Sequence, residues 1–513
     1  MHCPAQFQKL HNPISPLRIP EGARESDMAF RRPGSVRTGG ASRLHGRPQA
    51  KSATSILLAI QMCAGASVAA ADDYDIEPAS QCCVDIDRRV AELEELGARR
   101  GNRKVKVQIS GLVNNSIMAW DDGGESSVYV VTNDNQRSRF SFVGSAKISE
   151  MLEAGMFFDV GIRTANSKLV NQVADGNYDG RPPTGFDLRS SVWYLRHKKY
   201  GAGFVGATFA ATDRIANSNV TQTAMFDHYA APENFGLGML LRSASNGRMT
   251  DSLLSWRRII GAGGDQPGES QRGFQLIKYV TPTVNGFTAA VDWVVADFWD
   301  AALRYRKEVA GFDIGAGIGY LQLLPDSRTR SVCPAAILAT NVDTSACKEI
   351  RGSISAKHLE TGLFVNFGAN LTMDGIIPQT NRFRGTGAGQ TERFLSGQVG
   401  LEREFNTLGK TTIYGSYYTY TGGPATAFLA GPGDALNPTG LGSWSVWNSS
   451  VNIWGIGVAQ GIDAASTILY LNYRRASGDL FMRELLDGTA NGAIAASPID
   501  DLDLLMSGAV IRF

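Results

Sequence analysis

From Arg103 onward apolar side chains fall at every second position, with polar or small residues between them. Val105, Val107, Ile109, Gly111 and Val113 alternate with Lys104, Lys106, Gln108, Ser110 and Leu112. The same period returns at Phe140, Phe142, Gly144, Ala146 and Ile148, at Ala154, Met156, Phe158, Val160 and Ile162, at Ala301, Leu303 and Tyr305, and at Phe312, Ile314, Ala316, Ile318 and Tyr320. A period of two predicts strands with one apolar face, and each run has about the ten residues that a tilted strand needs to cross a bilayer. Residues 501–513 follow the same rule, with Leu505, Ala509, Ile511 and Phe513 on one face and Arg512 on the wet one. An unpaired edge invites aggregation, and lipid satisfies no backbone N–H or C=O, so such strands must close on themselves.

The connections alternate as well. Short ones fall near 149–151, 199–201, 283–285, 309–311, 360–362, 406–409 and 461–463, and long polar ones near 121–135, 165–186, 213–271, 323–347, 373–390, 421–446 and 477–500. Only the link at Asp297 is short where a long one is due. This rhythm predicts an all-β transmembrane antiparallel barrel of sixteen strands, or eighteen if 253–260 is a further strand, with both ends of the wall on the short-turn side. A soluble sandwich or solenoid also alternates, but it lacks the regular long-then-short connections.

The residues before the strands divide into two segments. Residues 1–71 form a leader rich in Arg, Pro, Gly and Ser that ends in a signal peptide: the apolar core 55–66 follows Arg43, Arg47 and Lys51 and precedes Ala69, Ala70 and Ala71, which places cleavage near Asp72. Met28 is an alternative start. Residues 72–102 form a periplasmic segment in which Ile86, Val90 and Leu93 make a short amphipathic helix, packed on the barrel or joined in a coil between subunits. Residues 103–513 are the barrel.

Formal charge is +1 over 513 residues, so no basic field points to nucleic acid. No run after residue 72 is long and apolar enough for a spanning helix. Neither GxSxG, HExxH nor a phosphate loop occurs, and the six histidines form no cluster, so no catalytic residue, cofactor or metal is expected. Gly315, Gly317 and Gly319 lie in a strand and mark bends or close backbone approach. No cysteine pair has metal-site spacing; Cys333 and Cys347 share one loop-like stretch and are expected to form a disulfide in an exported protein, while Cys82 and Cys83 stay unassigned.

The segments 101–111 (GNRKVKVQISG), 119–123 (AWDDG), 128–135 (VYVVTNDN), 138–148 (SRFSFVGSAKI) and the final SGAVIRF resemble the alphaproteobacterial, rhizobial-type outer-membrane porin family. That resemblance implies a homotrimer of sixteen-stranded barrels in the outer membrane, each narrowed by an inward-folded third loop and passing ions and small hydrophilic solutes by diffusion. It also implies that Ile511 and Phe513 act as the C-terminal signal read by the barrel assembly machinery, with lipid and lipopolysaccharide around the wall. A structural or adhesive barrel, or a hydrolase at the rim, is the alternative.

The third loop, 213–271, falls where such porins place their constriction and carries Asp213, Asp227 and Glu233. If the apolar sets face lipid, parity turns Arg137, Arg139, Arg163, Arg189, Arg304, Arg306 and Arg351 inward. The expectation is a basic wall facing an acidic loop, a transverse charge arrangement that sets ion preference.

Overall fold

A computed structural model describes residues 104–176, 185–260, 273–325, 327, 343–376, 389–423 and 429–513. The leader, the signal peptide, the helix expected before the first strand, and Cys82, Cys83 and Cys333 lie outside these residues.

Among the described residues, alternation of apolar and polar positions produces nineteen antiparallel strands in one sheet. They are β1 (Lys106–Asp121), β2 (Ser126–Thr132), β3 (Arg139–Lys147), β4 (Leu152–Arg163), β5 (Gly185–His197), β6 (Gly201–Thr208), β7 (Phe274–Val280), β8 (Phe287–Val294), β9 (Phe298–Val309), β10 (Phe312–Leu323), β11 (Cys347–His358), β12 (Leu363–Asp374), β13 (Thr391–Asn406), β14 (Gly409–Gly422), β15 (Leu429–Ala430), β16 (Ser443–Ile462), β17 (Thr467–Leu486), β18 (Thr489–Ala496) and β19 (Leu502–Arg512). Three of these are hairpin pieces on the long-loop side: β2 lies along the upper half of β1, β15 on β16 and β18 on β17. The other sixteen close a wall, because β1 pairs with β3 through Lys106↔Ser145 and with β19 from Leu112↔Arg512 to Asp121↔Asp503.

Eighteen strands are therefore excluded among the described residues. Residues 253–260 carry a one-turn helix, α1 (Trp256–Ile259), and Leu254 and Trp256 are buried. Leu253 takes a left-handed φ of 60° and Ser255 bridges to Leu240, so the segment folds back on its own loop.

The last residue seals the seam. Phe513 exchanges backbone hydrogen bonds with Gly111 (3.0 and 3.1 Å), and its ring packs edge-on against Phe140 at 5.9 Å. A Cβ on Gly111 would lie 2.4 Å from that ring, so the glycine makes the ring's seat.

Val107, Ile109, Ile117, Ile277, Leu303, Ile318 and Val399 are exposed on the outer face, where lipid is their solvent. The wall is uneven in height. β7 and β8 have seven and eight residues and a short link between them, whereas β16 and β17 have twenty each. At about 3.3 Å per residue the first pair barely crosses an apolar band of about 25 Å and the second stands well beyond it.

Candidate functional site

The third loop, hereafter L3, leaves β6 after Thr208 and enters the barrel. Two carboxylates, side by side on β8 and β9, take its first backbone amides: Ala211 N–H donates to Asp292 Oδ2 (2.5 Å) and Thr212 N–H to Asp300 Oδ2 (2.8 Å). Arg304 donates to the carbonyls of Ala211 (2.8 Å) and Asp213. The loop then runs along β10, where the glycine run finds its purpose. A Cβ on Gly317 would meet Ile215 Cδ1 at 2.6 Å, and one on Gly319 would meet Thr212 Cγ2 at 2.6 Å. Of the two meanings that glycines in a strand carry, this is close approach, with the Ile215 and Thr212 side chains seated on the bare backbone of β10.

From there L3 is fastened to one wall strand after another. Ser218 and Val220 donate their amides to Ser353 (2.9 Å) and Ser355 (3.0 Å) on β11. Gln222 N–H reaches Glu402 (2.7 Å) and Thr223 reaches Gln398 (2.8 Å) on β13. Asp227 accepts from Tyr414 on β14 (2.5 Å) and pairs with Arg474 on β17, while Phe226 stacks on Tyr470 at 4.8 Å. The returning half buries Phe235, Leu237, Met239, Leu254, Trp256 and Ile259 in one cluster with Met118, Tyr418, Tyr420, Trp444 and Leu504. That side of the lumen is solid protein.

These positions change the expected charge pattern. Asp227 and Glu233 were expected to face water across from the arginines, yet each is about 1% exposed. Asp227 is neutralised by Arg474, and Glu233 lies 3.8 Å from buried Lys168. An unpaired carboxylate cannot be buried without a large penalty, so these acids serve as anchors of L3. Arg351 is also buried, paired with Glu349 under Phe394, and Arg306 sits near the short-turn rim on Asp313 (2.8 Å). Arg351 therefore does not reach water, whereas Arg306 is exposed at the short-turn end, away from L3's root. The side chain of Arg163 lies outside the described residues.

Three arginines are gathered on the opposite wall, but only Arg139 is partly exposed; Arg137 and Arg189, expected to face water, are themselves buried in ion pairs. Arg137 precedes β3, in a short turn, and is held by Asp134 and Asp187 (both 2.7 Å); Arg189 donates to Asp159 (2.8 Å), and Arg139 lies 3.9 Å from the same carboxylate. The charged residue of L3 whose field reaches them is a cation, Arg214, like-charged to both Arg139 and Arg189. It adopts a left-handed φ of 54°, a strained conformation for a residue with a side chain. Beside it Asp213 is half-buried, and burial pushes its carboxyl above the ordinary range against the pull of Arg214, Arg304, Lys278 and Arg189. A cavity of about 410 Å³ opens here, below the root of L3. Arg214 and Lys278 were missed by sequence reasoning; the Asp213–Arg214 dipeptide at the loop's root was the available sign.

Cys347, at the start of β11, is disulfide-bonded. Its expected partner, Cys333, lies outside the described residues.

His228 provides a pH test of L3 docking. Burial, then the charge of Arg214, pushes its pKa down to about 3, while its ring bonds to Ala224 O (3.0 Å). A released loop would restore a value near 6.5. Protonation therefore favours release between about 6.5 and 3, and docking loses roughly 1.4 kcal/mol per pH unit as pH falls through that window. Current flicker from single channels should rise below about pH 6, and His228→Gln should flatten that rise.

Several solved folds are similar. The anion-selective porin from Comamonas acidovorans is 15% identical, with 80% of this chain and 100% of that one covered, at a TM-score of 0.45. OmpF of Salmonella typhi in complex with daunomycin is 13% identical over 80% and 98%, at 0.46, and the trimer form of in-vitro-folded OmpT of Vibrio cholerae is 11% identical over 80% and 99%, at 0.45. No curated protein matches the chain. The family model of the Gram-negative porins matches residues 53–479, a span that holds most of the closed wall and the whole of L3. The chain therefore belongs to the Gram-negative porin family.

Proposed function

We propose that the narrowest part of this channel lies between Arg139 and Arg189 on the wall and the Asp213–Arg214 corner of L3. As a Gram-negative porin the protein is a multi-pass barrel of the outer membrane through which ions and small hydrophilic solutes diffuse passively. What supports the location is the fastening of L3: its far half is packed solid against β12–β19, which leaves the sector from β3 to β9 for water. Across this passage Arg139, Arg214, Lys278 and Arg304 are partly exposed with Asp213 as the one partly exposed acid near them, while Arg189 lies buried on Asp159, and Asp159, Asp292 and Asp300 are buried and hold other groups. The preference that follows is for anions.

We further read the protein as a homotrimer of the alphaproteobacterial type, exported by the signal at 55–71, with Cys333 joined to Cys347 and the terminal strand recognised by the assembly machinery. No catalytic role is assigned. Purified protein in planar bilayers should give stepwise currents that rise in proportion to potassium chloride concentration, with a reversal potential on the anion side. Absence of current would overturn the channel reading, and a cation-side potential would overturn the placement of the constriction.

A further inference from the structure

We propose that the cavity under the root of L3 is a binding subsite for small organic carboxylates. The inference rests on the channel reading above and adds a ligand to it.

Three cations from three separate elements converge on the cavity: Arg214 from L3, Lys278 from β7 and Arg304 from β9. Lys278 uses one donor on Phe209 O (2.7 Å), and an ammonium carries three. Arg304 fixes the position of L3 through two carbonyls, so its guanidinium is held still at the edge of the space. Asp213 is the one carboxylate that lines the cavity. Asp292 and Asp300 lie behind it, buried and turned onto the amides of Ala211 and Thr212. Thr208 and Thr288 add hydroxyls, while Val280, Ala290 and Phe209 make the remaining surface apolar.

This combination selects among anions. A bare inorganic ion gains from the cations but nothing from an apolar wall, and it is too small to meet both at once. An organic carboxylate can place its charge between Arg214 and Lys278 and its hydrocarbon part against Val280 and Ala290. Guanidinium suits the carboxylate because two parallel N–H groups match its two oxygens. Ligand sites commonly have this form, mostly apolar with a few fixed polar groups.

The test uses benzoate as the probe on the full-length reconstituted protein. Chloride current through single channels should fall in a saturable way as benzoate is added, while neutral benzamide and inorganic phosphate at the same concentrations reduce it far less. Arg214→Gln and Lys278→Gln should each raise the half-blocking concentration by about tenfold, and Arg248→Gln, at an exposed pair with Asp251, should not change it. Heat-modifiable migration on gels checks that each variant has formed its barrel. Block that is linear in benzoate, equal for phosphate, or undiminished in both variants would overturn the subsite. These outcomes all require current, so they are separate from failure of the channel reading, in which no variant conducts.

Discussion

Replacing Arg214 with Gln should shift the channel's selectivity toward cations, and replacing Arg139 and Arg189 as well should reverse it. A unit charge about 8 Å from a passing ion contributes on the order of 0.5 kcal/mol even at the dielectric of bulk water, and the Debye length at physiological salt is about the same distance. Screening over that length leaves about 0.2 kcal/mol, and the sign is opposite for anion and cation, so one arginine changes their permeability ratio by about twofold and three change it by about sevenfold. Asp213→Asn should act in the other direction. Reversal potentials across a tenfold potassium chloride gradient read these shifts directly. If the triple variant keeps the wild-type potential, the passage lies elsewhere in the barrel.

Breaking the Asp227–Arg474 pair should release L3 without unfolding the wall. The side chains are 1% and 5% exposed, Tyr414 donates to the same carboxylate, and Arg474 also lies over the Phe235 ring at 4.6 Å. Removing one member leaves the other charged and buried, which costs about 3 to 5 kcal/mol. Asp227→Ala should therefore give larger and noisier currents, with protease cleavage inside L3 that wild type resists. The double variant Asp227→Leu with Arg474→Met removes both charges together and should restore much of the quiet current, since a buried pair replaced by apolar groups is often neutral. Equal noise in the single and double variants would show that the pair does not hold the loop.

The wall was legible because its physics is local. Phe140 and Phe142, or Leu303 and Tyr305, declare their faces through their immediate neighbours, and a link such as 309–311 can only be a tight turn. The loop's path was not, since Asp227 finds its cation 247 residues away and Gln222 finds Glu402 180 residues away. Parity does place Arg351 inward, but an inward residue faces water only if nothing lies over it. L3 covers that side and leaves the β3 side open, and this decides which of the inward arginines line a passage. Gly315, Gly317 and Gly319 held the clue, because an inward strand stripped of side chains leaves room for another chain to lie on it.

The attachment of L3 also bears on the order of events during biogenesis. Phe226 O accepts from Asn133 and Asn135 (3.0 and 2.9 Å), which follow β2, while the Phe226 ring stacks on Tyr470 of β17. β1 and β19 join between these two attachments, and Ser116 of β1 reaches Tyr470 across them at 2.5 Å. A single segment of L3 thus holds both sides of the seam. Until the first and last strands meet, Phe226 can hold Tyr470 but lacks Asn133 and Asn135; once they have met, a loop left outside would have to enter a closed cylinder. Completing the loop's seat and closing the wall are then expected to be coupled, with the long sequence separations that make such steps slow. Loss of the Phe226 ring should accordingly delay insertion more than it weakens the finished channel.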